Sequence, residues 1–410
     1  MIKKIIFTMI IFLFISPICI SDQTYFEKQG KTYYVGGNDP GNYNTIQDAI
    51  DNASSNDTVF VYKGIYKESI VLYKKINLIA ESGAILEFDN NDNIVLINAD
   101  GSKIKGFTIR NCIGGVYFGL KIGQGTKNVT VENNFFENNS NNSLYLYYTS
   151  DDKIINNSFS DDGIFIVGNR ENWNSHIIEN NRVNDLPILY YKNQISTSIS
   201  DNKCGQIIIA NISSSNIKNN YISGGKLGIS IGHSENNNIS NNHVKNTMFA
   251  IRLQYSDHNV LRNNCIENNS HGFFIQHSNQ NIITKNNISY NNIDGCHLCC
   301  GSTKNIIFLN NFVKNTKNAY DIVGNIWHDN NTGNFWDDYT GFDENHDYVG
   351  DISYNISSKS SDPYPLMKKY NNFLYEKQDF EINNNSYVFF IIIIFIISII
   401  FLYFIYNKYK

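Results

Sequence analysis

The side chains best equipped for chemistry sit in one heptapeptide, Gly295-Cys296-His297-Leu298-Cys299-Cys300-Gly301. Thiolate sulfur and imidazole nitrogen bind borderline and soft transition metals, so this run suggests Cu(I) or Zn(II). In an extended segment, alternation turns Cys296 inward and His297 and Cys299 outward, with Cys300 entering a turn. If the chain coils back on itself every 22 residues or so, His277 stands one rung before Cys300, and His233 lies in the same column two coils further back. Stacked strands are about 4.8 Å apart, which would let His277, His297, Cys299 and Cys300 share one copper or zinc ion. The plainer reading makes Cys296 a small core residue and the others surface thiols or a disulfide. A second pattern suits a hard cation. Asp343, Asn345, Asp347 and Asp351 fall at positions 1, 3, 5 and 9 of a calcium loop, with the Val349 carbonyl at position 7. Tyr348 replaces that loop's turn glycine, and Tyr354 stands where a bidentate Glu is usual.

These residues need a scaffold, and the sequence supplies a repeated one. About one residue in six is Asn, and charged residues are only 17% of the chain. An Asn-Asn step or a near-equivalent begins at Asn133, Asn156, Asn180, Asp201, Asn219, Asn241, Asn263, Asn286 and Asn310. Alternating segments follow: Gly228-Ile229-Ser230-Ile231, Ala250-Ile251-Arg252-Leu253, Gly272-Phe273-Phe274-Ile275 and Gly295-Cys296-His297-Leu298. Units of this length without helical periodicity stack as solenoid coils, and a leucine-rich repeat or a propeller fits less well. The fold class expected is all-β, a right-handed parallel β-helix. Ile229, Ile251, Phe273 and Cys296 should form one inward column, and Ile231, Leu253, Ile275 and Leu298 another. Asn suits the turns because it tolerates left-handed backbone and its amide can bond to the neighbouring rung.

A solenoid must cover its ends. Thr45 to Ala53 reads as a short N-terminal capping helix, with Thr45 and Asp48 in a capping box and Ile46, Ala49, Ile50 and Ala53 on one face. Gly119 to Gly125 reads as a loop insertion. The repeat is expected to fail beyond Asn325, where an aromatic, acidic segment takes over. Both termini carry membrane signals. Lys3 and Lys4 before the apolar run Ile5 to Ile15 form a signal peptide ending near Ser21. Tyr387 to Tyr406 is an uncharged run long enough to span a bilayer, and Lys408 and Lys410 behind it place the C-terminus in the cytoplasm. The expected organisation is 1–21 signal peptide, 22–57 N-terminal cap, 58–325 β-helix, 326–367 C-terminal cap, 368–386 stalk, 387–406 transmembrane helix and 407–410 tail.

With 33 Lys+Arg against 38 Asp+Glu, the net charge is −5 and no nucleic-acid partner is implied. Glycosidases need two carboxylates converging on one bond. The outward ladder is expected to read Ser230, Arg252, Phe274, His297 and Asp321, with Gln254, Gln276 and Cys299 beside it, so no catalytic pair is assigned. Asp151-Asp152 and Asp161-Asp162 sit at turns. Tyr145, Tyr147 and Phe165 should project from neighbouring coils as a surface for sugar rings or protein partners. Sequons at Asn128, Asn211, Asn268 and Asn287 permit glycosylation outside the cell.

Two stretches carry a family likeness. Tyr43-Asn44-Thr45-Ile46-Gln47-Asp48-Ala49-Ile50, followed by Asp57 to Tyr66, resembles the start of NosD-like and pectate-lyase-like right-handed β-helix proteins. Gly333-Asn334-Phe335-Trp336-Asp337-Asp338-Tyr339-Thr340-Gly341, then Asp343 to Asp351, then Asp362-Pro363-Tyr364-Pro365-Leu366, resembles the C-terminal segment of NosD-type repeats. Together they span Tyr33 to Met367, and with both termini the chain is also similar to the Asn-rich, adhesin-like surface proteins of methanogenic archaea. The resemblance implies the fold and three roles. Foremost is a surface-anchored, non-catalytic protein of adhesion, envelope structure or glycan contact, its partners being surface glycans or envelope proteins. The alternatives are a NosD-like periplasmic copper-binding accessory and a polysaccharide lyase or glycoside hydrolase.

Overall fold

The computed structural model describes residues 30–88, 92–113, 117–140 and 142–371. The expected signal peptide, transmembrane segment and tail lie outside these residues, as does the stalk beyond its first four positions. Among the described residues, no helix is long and apolar enough to cross a membrane.

The described chain is an all-β parallel solenoid of the right-handed type whose coils contribute short strands to three sheets. The expected inward columns form. Ile229, Ile251, Phe273 and Cys296 are register partners on successive rungs, as are Ile231, Leu253, Ile275 and Leu298. All eight are buried. At the N-terminal end, helix α1 (Ile46–Asn52) buries Ile46, Ala49 and Ile50 over the first coils, and Thr45 Oγ1 accepts the Asp48 N–H at 3.2 Å. Glu68 from the first coil completes the cap, its carboxylate accepting the Ile46 and Gln47 N–H groups at 2.9 and 3.0 Å. Phe118–Ile122 is a strand of this solenoid, so the loop expected from Gly119 to Gly125 is confined to its end.

The Asn-Asn step has two different jobs. A left-handed residue comes first, with φ of 56°, 54° and 55° at Asn219, Asn241 and Asn263, and of 58° and 56° at Lys285 and Leu309, which precede the steps at Asn286 and Asn310. The Asn that follows it turns into the solenoid: Asn220, Asn242, Asn264, Asn286 and Asn310 are buried, as is Asn334. Each of the first five donates from both its backbone N–H and its Nδ2 to the Oδ1 of the next. Because every rung donates in the same direction, the last must meet a group that only accepts. Asp362 fills that place, taking Asn334 N–H at 2.7 Å and Trp336 Nε1–H at 2.9 Å. A parallel ladder through Asn237, Asn259, Asn281, Asn305 and Asn325 ends on Asp321, which also accepts Trp327 Nε1–H at 3.0 Å. The first ladder thus runs on to Asn334, beyond Asn325, where the repeat was expected to fail. Asp321 faces inward, and Tyr320 takes the outward place beside His297. The chain expected to carry Asp321 on its surface spends it on closing the core.

The β-helix is not one uninterrupted column. The strands Arg182–Val183 and Leu186–Lys192 pair antiparallel across Asn184 and Asp185, whose φ values of 45° and 65° make a two-residue hairpin turn. The hydrophobic core divides at this joint. One cluster runs from Val35 to Val183 and takes in Ile188, Ile208 and Ala210; the other runs from Ile199 to Trp336 and takes in Ile207 and Ile209. The strand Gln206–Ala210 is thus buried on both faces and closes the open end of the first segment. Gln206 accepts Ile164 N–H at 3.0 Å and donates to Ile164 O at 2.7 Å, standing in for the next strand of a five-stranded sheet that ends there. Helix α2 (Arg170–Asn174) adds the fully buried Trp173, against which a Cβ on Gly232 would come within 2.2 Å.

Candidate metal centre on the outward face

Beyond the joint, the strands from Leu186–Lys192 to Ala319–Asp321 form the front sheet of the second segment. Its central outward column reads Ser230, Arg252, Phe274, His297 and Tyr320. One edge of this face carries Phe249, His271 and Asp294, register partners on three successive rungs. Strict alternation would turn Asp294 inward with Cys296 and Leu298. The register skips the residues that follow, Ala250, Gly272 and Gly295. A Cβ on Gly272 would lie 2.2 Å from Gly295 O, and one on Gly295 2.6 Å from Asn318 O. Asp294 stands instead on the side of His297.

There the Asp294 carboxylate holds two imidazoles. His271 Nδ1 lies 2.8 Å from Oδ1, and His297 Nδ1 lies 2.8 Å from Oδ2. Burial by itself would raise the Asp294 pKa, but the two imidazoles outweigh it and hold the carboxyl below its usual range. Aromatic stacking fixes both rings. His271 lies parallel to Phe249 at 5.0 Å, and His297 is sandwiched between Phe274 at 4.7 Å and Tyr320 at 4.4 Å. The three ligand atoms all lie within 4.8 Å of one another. Tetrahedral bonds of about 2.0–2.1 Å put neighbouring ligand atoms roughly 3.3 Å apart, so each 2.8 Å contact would have to open by about half an ångström.

The four residues expected to share an ion are not gathered in this way. His277 sits in the turn column, stacked on Tyr255 at 4.8 Å, and Tyr255 stacks on His233 at 5.1 Å. Cys299 and Cys300 place their sulfurs 3.0 Å apart, and burial pushes the Cys299 thiol pKa up to about 12. Of that set, His297 alone belongs to a group of three or more converging ligands among the described residues; its partners are His271 and Asp294. The calcium-loop residues do share one exposed loop, with oxygens spent on backbone amides. Asp343 accepts from Asp347 and Tyr348 N–H, Asn345 from Asp347 N–H, Asp347 from Val349 N–H, and Asp351 from Glu344 N–H. They form no converging group of three among the described residues.

No carboxylate pair faces solvent along the central outward column. Asp162 is buried at the joint, receiving Ser143 Oγ–H and Lys226 Nζ. Arg252 is buried over the Phe165 ring at 4.3 Å, and burial lowers its pKa to about 10. Tyr145, Tyr147 and Phe165 stand on neighbouring rungs but are half-buried: Phe165 lies under Arg252 and 6.5 Å from the Phe249 ring, Tyr145 stacks on Phe118 at 4.0 Å, and Lys121 Nζ is 4.8 Å from the Tyr147 ring.

Residues 188–341 match the NosD family model, described as a periplasmic copper-binding protein. That stretch begins at the joint and contains the whole His271–Asp294–His297 group. A 62-residue segment is 40% identical to the probable ABC transporter binding protein NosD of Stutzerimonas stutzeri, covering 15% of this chain and 14% of that protein. Among solved structures, a GH136 lacto-N-biosidase from Eubacterium ramulus is similar at a TM-score of 0.38 and 10% identity, over 63% of this chain and 64% of that one. A polygalacturonase from Erwinia carotovora ssp. carotovora is similar at 0.35 and 14%, over 72% of this chain and 96% of that one. Neither likeness transfers an activity to this chain.

Proposed function

We propose that this chain is an exported β-helix protein that holds a transition-metal ion on the front sheet through His271, Asp294 and His297. The observation that carries the reading is a buried carboxylate with an imidazole Nδ1 at 2.8 Å from each oxygen, inside the stretch that matches a family described as copper-binding. Two nitrogens and one oxygen suit Cu(II) or Zn(II) better than Cu(I), which prefers thiolate or thioether sulfur. Copper therefore fits this donor set in its oxidised form. A bound ion would be cargo or a structural clamp, since no acid–base pair lines the column beside it. In the proposed organisation the β-helix stands outside the membrane and the 387–406 segment tethers it.

The test is titration of the purified full-length chain with Cu(II) and Zn(II), followed by calorimetry. The His271→Ala, His297→Ala double variant should bind one equivalent fewer than wild type, and Asp294→Asn should weaken that equivalent at least tenfold. Equal uptake by all three proteins would refute the reading. A second reading rests on the Phe118–Tyr145–Tyr147 stack with Lys121 beside it: this ladder suits contact with surface glycans or an envelope protein. Silence of the wild-type protein on a glycan array would count against the glycan form of it.

A further inference from the structure

A second side-chain cluster lies on a different sheet of the same segment. The strands from Lys203–Cys204 to Phe335–Trp336 form a side sheet, and two of them, His243–Lys245 and Cys265–Glu267, are register partners. Val244 and Ile266 point into the core. Alternation therefore sends His243, Lys245, Cys265 and Glu267 to the outer face. His243 stands directly opposite Cys265, and its Nε2 reaches diagonally to Glu267 Oε1 at 2.8 Å. The sulfur, the imidazole nitrogen and a carboxylate oxygen all lie within 4.8 Å of one another, and all three residues are half-buried.

We infer that His243, Cys265 and Glu267 form a binding site for a borderline divalent ion, with Zn(II) the best match. Sulfur with nitrogen and one carboxylate oxygen selects zinc or cobalt over the hard cations magnesium and calcium. The donors stand on adjacent rungs of a paired sheet, so their backbone positions are set before any ion arrives, and little ordering is required of the chain. Three protein ligands leave a tetrahedral ion one open position toward solvent. The Tyr221 ring meets His243 edge-on at 5.3 Å and walls one side of the site. When the sulfur–metal bond forms, the Cys265 thiol proton passes to solvent. This site is independent of the His271–Asp294–His297 centre, which shares no residue with it.

Co(II) titration of the full-length chain under reducing conditions tests the inference, because thiolate ligation to cobalt produces a near-ultraviolet charge-transfer absorption that nitrogen and oxygen ligands do not. Wild type should show the band, and Zn(II) should abolish it by displacement. The Cys299→Ser, Cys300→Ser variant and the His271→Ala, His297→Ala variant should both keep it. Cys265→Ser should lose it, while Glu267→Gln, at a more open position, should keep the band with affinity reduced about tenfold or more. Absence of the band in wild type, or its survival at wild-type affinity in Cys265→Ser, would overturn the inference.

Discussion

Asn263 and Asn264 are adjacent and chemically identical, yet replacing each with Ala should have very different costs. Asn264 Oδ1 accepts the backbone N–H and the Nδ2–H of Asn242, each at 3.0 Å. Its own Nδ2 donates to Ile239 O and Asn286 Oδ1, each at 2.9 Å. Asn264→Ala removes all four bonds and leaves two buried Asn242 donors short of an acceptor. At about 1–3 kcal/mol for each orphaned donor, the loss should come to about 4 kcal/mol. Asn263 is half-buried, and its role is its left-handed backbone, for which Ala costs only about 1 kcal/mol. Urea unfolding of the two variants beside wild type measures the contrast. Nearest-neighbour coupling in a solenoid should make the first transition of the Asn264 variant the sensitive one. If the two substitutions destabilise within about 0.5 kcal/mol of each other, the ladder does not contribute as argued.

The Asp152–His176 pair predicts a pH dependence. Burial raises the Asp152 pKa to about 7 and lowers that of His176 to about 4. They are 3.4 Å apart but are not an ion pair: His176 Nδ1 accepts Asp152 N–H at 3.2 Å, as a neutral imidazole does. Thr149 Oγ1 lies 2.6 Å from both Thr126 O and Asp152 Oδ2; its single proton serves one contact, the carbonyl can only accept, and the other contact needs a proton on the carboxyl. Between pH 4 and 6.5 the fold gains a proton on Asp152 and refuses one on His176, so the two effects on stability oppose each other. Asp152→Asn removes the first. Relative to wild type, that variant should lose roughly 1.4 kcal/mol per pH unit as pH falls below about 6.5, and a parallel Tm–pH profile would refute this. At the joint, Gln206→Ala should cost about 2–3 kcal/mol by orphaning the buried Ile164 N–H, and hydrogen exchange at Ile164 should accelerate; unchanged protection there would refute the strand-mimic role.

The periodic part of the structure was legible in the chain because it depends on local rules. A spacing near 22 residues, alternation within each short strand and Asn at left-handed turns are properties of neighbouring residues, and the inward columns and the helix at Ile46 follow from them. What was not legible depends on contacts across one or more coils. Gln206 meets Ile164 at a separation of 42 residues, and Arg252 meets Ile166 at 86. No periodic pattern announces that one segment will cap another. The proposed metal centre was half visible: His297 stood out beside its cysteines, but Asp294 and His271 did not, since strict alternation would send Asp294 to the core. Close packing of Gly272 and Gly295 on carbonyls of the next rung and a carboxylate held on the outer face between two imidazoles are contacts between coils. Sequence alone therefore determined the coil and its filling, whereas stacking decided where the coil breaks and which side chains meet on its surface.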